Sequence, residues 1–261
     1  MEKIIVLGTA GAVVDGARDN VSLVYHTENI DVLLECGGSA AHKLARCGIR
    51  YEQLAHIILT HTHLDHIYGL PGLLFAMRYR DLARTAPVNL YCPAPAQHFI
   101  ETFVDALALR DDKMLPLKII GIPLVEDALV YADAHVRITA TPVVHALKHP
   151  TCAIKIISQN SGKTVVYSAD TTYSEALIRL ARDADWLFHE CSGLPNPLIP
   201  PIHSDARQVG EVARHSGARQ LVLLHLDTVL NDAPAAILAE VRRYYAGAVT
   251  IAADFDEYQI A

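Results

Sequence analysis

The sequence predicts an α/β protein of one domain, residues 1–261, built from two sheet-and-helix halves. Three observations carry that prediction. Apolar runs of strand length alternate with segments of helical period along nearly the whole chain. No composition shift, Pro-rich linker or low-complexity tract divides it. Its 261 residues, 51% hydrophobic and 20% charged, are enough to bury a large core.

The first half opens with short β-rich runs, Lys3 to Leu7, Val21 to His26 and Asp31 to Glu35, separated by the turn-forming "GTAG", "DGARDN" and "TEN". They are expected to pair as an antiparallel sheet. A helix from Ala40 to Cys47 precedes the strand "AHIIL"; a helix from Leu70 to Leu82, the strand "VNLYCP" and a helix from Ala96 to Leu109 follow. The second half repeats this logic. Strands "HVRITATPV", "TCAIKIIS" and "KTVVYSA" lead to a helix Ser174 to Ala184 and then to "DWLFHE". A helix Asp205 to His215, capped by Ser204, the strand "QLVLLHL", a helix Ala233 to Tyr245 and the strand "AVTIAAD" complete the order.

A net charge of −7 argues against an extended basic surface for nucleic acid, and Arg78, Arg80 and Arg84 read better as a solvated helix face than as a phosphate patch. The five cysteines contain no CxxC pair and leave an odd one over, so a reducing compartment, the cytoplasm, is expected. "IIVLGTAGAVV" suits a strand and turn better than a signal-peptide core. No apolar run approaches the roughly 20 residues of a membrane span.

Between "AHIIL" and the next helix, "HTHLDH" packs His61, His63, Asp65 and His66 into six consecutive positions. His61 and His63 are two apart, so they cannot share a helix face and belong on extended or turning backbone. Ligands gather beyond the carboxyl ends of strands in α/β layers, and metal-capable side chains stand at other strand ends too. His145 follows "TATPVV", Asp170 follows "TVVYSA", His189 and Glu190 follow "DWLF", and His225 follows "QLVLL". Singly, each has a plain structural explanation: a satisfied loop histidine, a turn-opening aspartate, a buried strand-end histidine. Together, five histidines and two aspartates supply ligands for two metals. Imidazole and carboxylate without thiolate suit catalytic Zn²⁺ rather than a closed structural site.

"HTHLDH" matches the HxHxDH signature of the metallo-β-lactamase superfamily, and His145, Asp170 and His225 follow in that superfamily's order. "LLECGGS", "LPGLL", "YSADTTYSEALIRLARDADWLFHEC" and "HSDARQVGEVARHSGARQLVLLHLD" resemble its ribonuclease Z branch and the related phosphodiesterases and arylsulfatases. The resemblance implies a four-layer αββα sandwich of the metallo-β-lactamase type, two mixed sheets flanked by helices. It implies that His61, His63 and His145 bind a first zinc, that Asp65, His66 and His225 bind a second, and that Asp170 bridges. Mn²⁺ or Fe²⁺ are the substitutes such a site accepts. A hydroxide shared by the two ions is the implied nucleophile, with Asp65 able to accept its proton. The branch also uses a His-Glu segment and a later histidine that protonates the leaving oxygen; here these are His189-Glu190 and His203. Against that stands a structural reading in which Glu190 ends a strand and His203 is a loop residue.

Two features bear on substrate. Ribonuclease Z proteins of the short bacterial form insert a long arm between the positions matching His145 and Asp170, whereas here Asp170 stands only 25 positions after His145. The arm is absent on that count, so a small phosphodiester or related ester is favoured over precursor transfer RNA, nucleic acid being the less favoured partner. Tyr173 lies three positions after Asp170, where lactone-cleaving members place a substrate-contacting tyrosine, which keeps a lactonase or arylsulfatase-type reading open. Tyr68, Phe75 and Met77 are further pocket candidates, core packing being the alternative for the last two. A metal-binding interaction protein without turnover is the non-enzyme alternative, and the resemblance also implies a homodimer.

Overall fold

The computed structural model describes residues 1–80, 85–110, 113–197, 202–227 and 233–261. Arg84 of the expected arginine patch lies outside them. In the first half the chain forms β1 (Glu2–Gly8), β2 (Ser22–Thr27), β3 (Asp31–Leu34), α1 (Ala40–Arg46), β4 (His56–Ile58), α2 (Leu64–Ile67), α3 (Leu70–Arg80), β5 (Val88–Pro93), α4 (Gln97–Ala106) and β6 (Leu117–Ile122). In the second it forms β7 (Ala128–Ala132), β8 (Val136–Val143), β9 (Thr151–Ser158), β10 (Thr164–Tyr167), α5 (Glu175–Leu180), β11 (Trp186–Glu190), α6 (Ala206–Ser216), β12 (Gln220–Leu224), α7 (Pro234–Arg242), β13 (Ala248–Ile251) and β14 (Glu257–Gln259).

Among the described residues the strands make two seven-stranded mixed sheets, in the orders β14-β1-β2-β3-β4-β5-β6 and β13-β12-β11-β10-β9-β8-β7. β1, β2 and β3 pair antiparallel, as expected, and β3 to β6 continue in parallel. Side chains alternate across each strand, so a strand covered on both faces must be apolar at nearly every position. Ile4 and Val6 of β1 face the opposite sheet, whereas Ile5 and Leu7 face α1 and α3. In the other sheet Val165 and Tyr167 of β10 enter the central core and Val166 packs under α5, α6 and α7. Three buried clusters therefore separate four layers, helix, sheet, sheet and helix, which is the predicted αββα sandwich.

The corrections fall at edges and caps. β6, β7 and β14 were not expected; β6 and β7 are half-exposed edge strands and β14 spans three residues. The α6 cap is Asp205, whose carboxylate accepts from Gln208 N at 2.9 Å in a capping box, and not Ser204. Ser204 instead donates its hydroxyl to Thr171 O at 2.7 Å. All five cysteines are free thiols. No helix among the described residues is long and apolar enough to cross a membrane.

Candidate metal centre

Strand direction decides where the polar strand ends meet. β8 and β10 both pair antiparallel to β9, and β10, β11 and β12 are mutually parallel, so His145, Asp170, Glu190 and His225 emerge at one edge of the second sheet. β3 and β4 are parallel, so Glu35 and His61 emerge at one edge of the first. Cys152 N donates to Thr60 O at 3.2 Å, and Ala10 bridges to Leu226, joining the two edges. "HTHLDH" divides there: His61 and His63 lie on the turn after β4, and Asp65 and His66 lie on α2.

All seven expected ligands converge. His63 Nδ1 is 3.1 Å from His61 Nε2 and 3.0 Å from His145 Nε2. His225 Nε2 is 3.3 Å from both His66 Nε2 and Asp65 Oδ2. Asp170 Oδ2 stands between the two groups, 3.7 Å from His61 and His145, 3.3 Å from His66 and 3.2 Å from His225. Tetrahedral Zn²⁺ with Zn–N near 2.0–2.1 Å spaces its donors about 3.3 Å apart, so the His61–His63–His145–Asp170 and Asp65–His66–His225 groups fit two such ions. The buried Asp170 Oδ1 has no hydrogen-bond partner, as suits a carboxylate that answers to a cation.

The supporting shell fixes which nitrogens face inward. His145 Nδ1 donates to Ile202 O at 2.8 Å, leaving Nε2 for the cluster. His66 Nδ1 faces Glu35 Oε1 at 3.3 Å, and Glu35 also accepts from the Thr60 hydroxyl, which lies 3.1 Å from His61 Nδ1. Glu35 and Thr60 escaped the sequence reading; a single acid ending the apolar run "DVLLE" is the signal that could have found the first. Burial, reinforced by neighbouring imidazoles, holds His61 well below the usual histidine range and His63 at about 4, so both keep a lone pair free. Burial raises the Asp65 carboxyl, but His225 and His66 outweigh it and bring Asp65 down to about 2.

His203 and Glu190 meet as well. Glu190 Oε1 accepts from His203 Nδ1 at 3.0 Å and from the amides of Thr171 at 2.9 Å and Ser204 at 3.2 Å. Burial pulls His203 down, yet the Glu190 carboxylate overrides it and lifts the imidazole to about 9. His203 Nδ1 is also 3.9 Å from Asp170 Oδ2, but the shorter bond assigns that nitrogen to Glu190. His189 turns away, its Nδ1 bonded to Glu190 O at 2.6 Å.

A cavity of about 550 Å³ opens over the cluster, lined by His63, Asp65, Asp170, His203 and His225 on one side and Gly11 to Val13 on another. Gly11 is required there, since a Cβ would stand 2.9 Å from His225 Cε1. Tyr173 is elsewhere: its hydroxyl lies 3.3 Å from Glu175 and 3.2 Å from His215. Tyr68 and Phe75 are exposed outside the cavity and Met77 is buried in the helix-side core.

A family model described as "Anti-Pycsar protein Apyc1" matches residues 2–235. The ribonuclease Z of Geobacillus kaustophilus is 26% identical over 315 aligned positions covering 99% of both chains. Those positions outnumber the 261 residues here, so that relative carries inserted segments this chain lacks. In fold, the metallo-β-lactamase fold protein YhfI of Bacillus subtilis superposes with TM-score 0.84 at 23% identity over 98% of both chains. The short form of human tRNase Z superposes with TM-score 0.80 at 20% identity over 99% of both.

Proposed function

The chain belongs to the anti-Pycsar protein Apyc1 family, with a metallo-β-lactamase fold and the makeup of a metal-dependent hydrolase, and from that premise we propose a zinc-dependent, ribonuclease Z-like phosphodiesterase. The observation that carries this reading is the position of Asp170 Oδ2, within 3.7 Å of four imidazoles, three at separate strand ends and one on α2. His61, His63 and His145 would hold one cation, Asp65, His66 and His225 the other, and Asp170 both. Two divalent cations supply Lewis acidity and a water ionised near neutral pH when bound. Asp65, beside His225, orients the attacking water by accepting its hydrogen bond. His203 keeps Nδ1 on Glu190 and offers Nε2 to the leaving oxygen, with Glu190 as its positioning residue. Gly11 to Val13 and Ser192 line the cavity that would hold the reacting ester.

The substrate of this reading is a small phosphodiester. A cavity of about 550 Å³ is of nucleotide size. The stretch between His145 and Asp170 is taken up by β9, β10 and their short connections, which leaves no room for an arm. Tyr173 faces Glu175 and His215, which removes the residue that favoured a lactone. The remaining expectations, one domain over residues 1–261, a homodimer and a cytoplasmic enzyme, belong to the same proposal.

The test is a panel on protein loaded with Zn²⁺, Mn²⁺ or Fe²⁺: bis(p-nitrophenyl) phosphate, a nucleotide diester, a sulfate ester, a lactone and precursor transfer RNA. Turnover of the first two, abolished by a chelator and restored by zinc, is expected. Failure to bind metal refutes the proposal. A sulfate or lactone preference replaces the substrate class, and cleavage of the transfer RNA overturns the argument from the missing arm.

A further inference from the structure

The residues on either side of Asp170, Ser168 and Thr171, both bond to Glu190, and at different atoms. Glu190 N donates to the Ser168 hydroxyl at 3.0 Å, and Thr171 N donates to Glu190 Oε1 at 2.9 Å. Ser168 has no solvent exposure, and its hydroxyl makes a second bond, donating to Ala169 O at 2.7 Å. Its one donor and an acceptor lone pair are therefore both used inside the protein. Ser168 is neither an expected ligand nor a member of the Glu190–His203 pair.

The hydroxyl replaces a bond of the sheet. β10 and β11 are parallel with Tyr167 opposite Phe188, and Ser168 N continues that ladder by donating to Phe188 O at 2.9 Å. Regular parallel pairing would next take Glu190 N to the Ser168 carbonyl. It goes to the side chain instead, and the chain leaves the strand at Ala169, where φ is 54°. Val166 faces the helix layer and Tyr167 the central core, so continued alternation would send Asp170 toward the helices with Val166. The turn sends it to the gap where the sheet edges meet, within 3.7 Å of four imidazoles. Serine lets β10 end early while Glu190 keeps its register. An alanine or valine there would leave the buried Glu190 amide without that acceptor.

We propose that Ser168 is a positioning residue that joins the metal-facing carboxylate to the proton-delivering pair. Its hydroxyl holds the Ala169 turn that aims Asp170 and, through the Glu190 amide, the residue that bonds His203. Thr171 N closes a second link to Glu190, so Asp170 sits inside a ring of bonds with Glu190 on its far side. The inference rests on the phosphodiesterase reading and deepens it by making the two halves of that site one unit.

The test compares the full chain with Ser168→Ala, Ser168→Cys and Val166→Ala. Ser168→Cys keeps the volume but offers only a weak acceptor, and Val166→Ala is a buried truncation on the same strand that leaves these bonds in place. Chelator competition should give Ser168→Ala a zinc affinity about tenfold lower. In the zinc-loaded protein, the rate ratio between p-nitrophenolate-leaving and alkoxide-leaving diesters should widen about threefold. Hydrogen exchange at the Glu190 amide should speed up at least about tenfold. Ser168→Cys should move all three the same way, whereas Val166→Ala should lower the melting temperature and move none. Weaker zinc binding at an unchanged leaving-group ratio, the reverse, or effects matched by Val166→Ala overturns the linkage. If Ser168→Ala does not fold, Ser168→Cys decides by the same readouts. If the wild type cleaves neither diester, the phosphodiesterase reading fails, and zinc affinity with Glu190 exchange, measured without turnover, still decides whether Ser168 ties Asp170 to Glu190.

Discussion

Replacing Glu190 by glutamine isolates the proton-delivering half of the proposed mechanism. Its Oε1 holds three donors, the amides of Thr171 and Ser204 and His203 Nδ1, while the buried Oε2 has no hydrogen-bond partner. The glutamine carbonyl can keep both amides, so the loop geometry survives and the negative charge facing the imidazole is lost. A hydrogen bond to a charged group is worth about 1.5–3 kcal/mol against about 0.5–1.5 for a neutral one, so His203 loses on the order of 1–2 kcal/mol of support for its protonated form. That corresponds to about 5–30-fold in rate where the leaving oxygen must be protonated. The assay is a diester series in which only the leaving group changes. Glu190→Gln should slow an alkoxide-leaving ester by that factor and a p-nitrophenolate-leaving ester by less than about twofold, because p-nitrophenolate departs without a proton. His203→Ala should widen the gap to about 10²–10⁴. Zinc content and KM should not change. An equal fall on both leaving groups with zinc intact refutes the assignment of His203 as the acid.

Asp170→Ala removes the oxygen that faces both ligand groups; elemental analysis should show fewer zinc ions per chain, with turnover falling at least about 10³-fold, and full zinc with full activity would refute the shared-carboxylate reading. Glu35→Gln leaves His66 Nδ1 without its anionic neighbour, so chelator competition should register zinc affinity about 10–100-fold lower at an unchanged circular dichroism spectrum. Gly11→Ala pushes a methyl group toward His225 Cε1 at 2.9 Å, which should weaken the Asp65–His66–His225 site and spare the His61–His63–His145 site in a two-step zinc titration. Light scattering should report twice the mass of one chain; a single-chain mass removes the homodimer and leaves the chemistry intact.

Much of this was legible because it is periodic or local. The two-residue spacing of His61 and His63 excludes a helix whatever surrounds it, and apolar runs ending in His145, Asp170 and His225 announce strand ends. β6 and β7, LKIIGI and ALVYA, are apolar enough to read as strands and were passed over; both are short, half-exposed edges. Ser204 and Asp205 both suit a helix cap, and only the capping box with Gln208 decides between them. Glu35 reads as the polar end of a strand until His66 is placed beside it.

The site also explains why this fold accepts a locally unfavourable backbone. Glu35, Ala169 and His225 follow the ends of β3, β10 and β12, and all three take left-handed φ, at 64°, 54° and 54°. For a residue with a Cβ that conformation costs about 1–2 kcal/mol. Continued extension would send successive side chains to alternate faces of the sheet, away from the gap where the two edges meet. A left-handed residue at each strand end breaks that alternation and turns Glu35, Asp170 and His225 toward one another. Without a cation the cost is compounded, because burial disfavours charge on His61, His63 and His145 alike, and their nitrogens crowd to within about 3 Å. Apolar residues in place of the histidines would relieve the crowding and forfeit every lone pair. On the proposed reading, cation binding would be coupled to folding, because the backbone turns that bring these side chains together also set the cluster that would hold the ions.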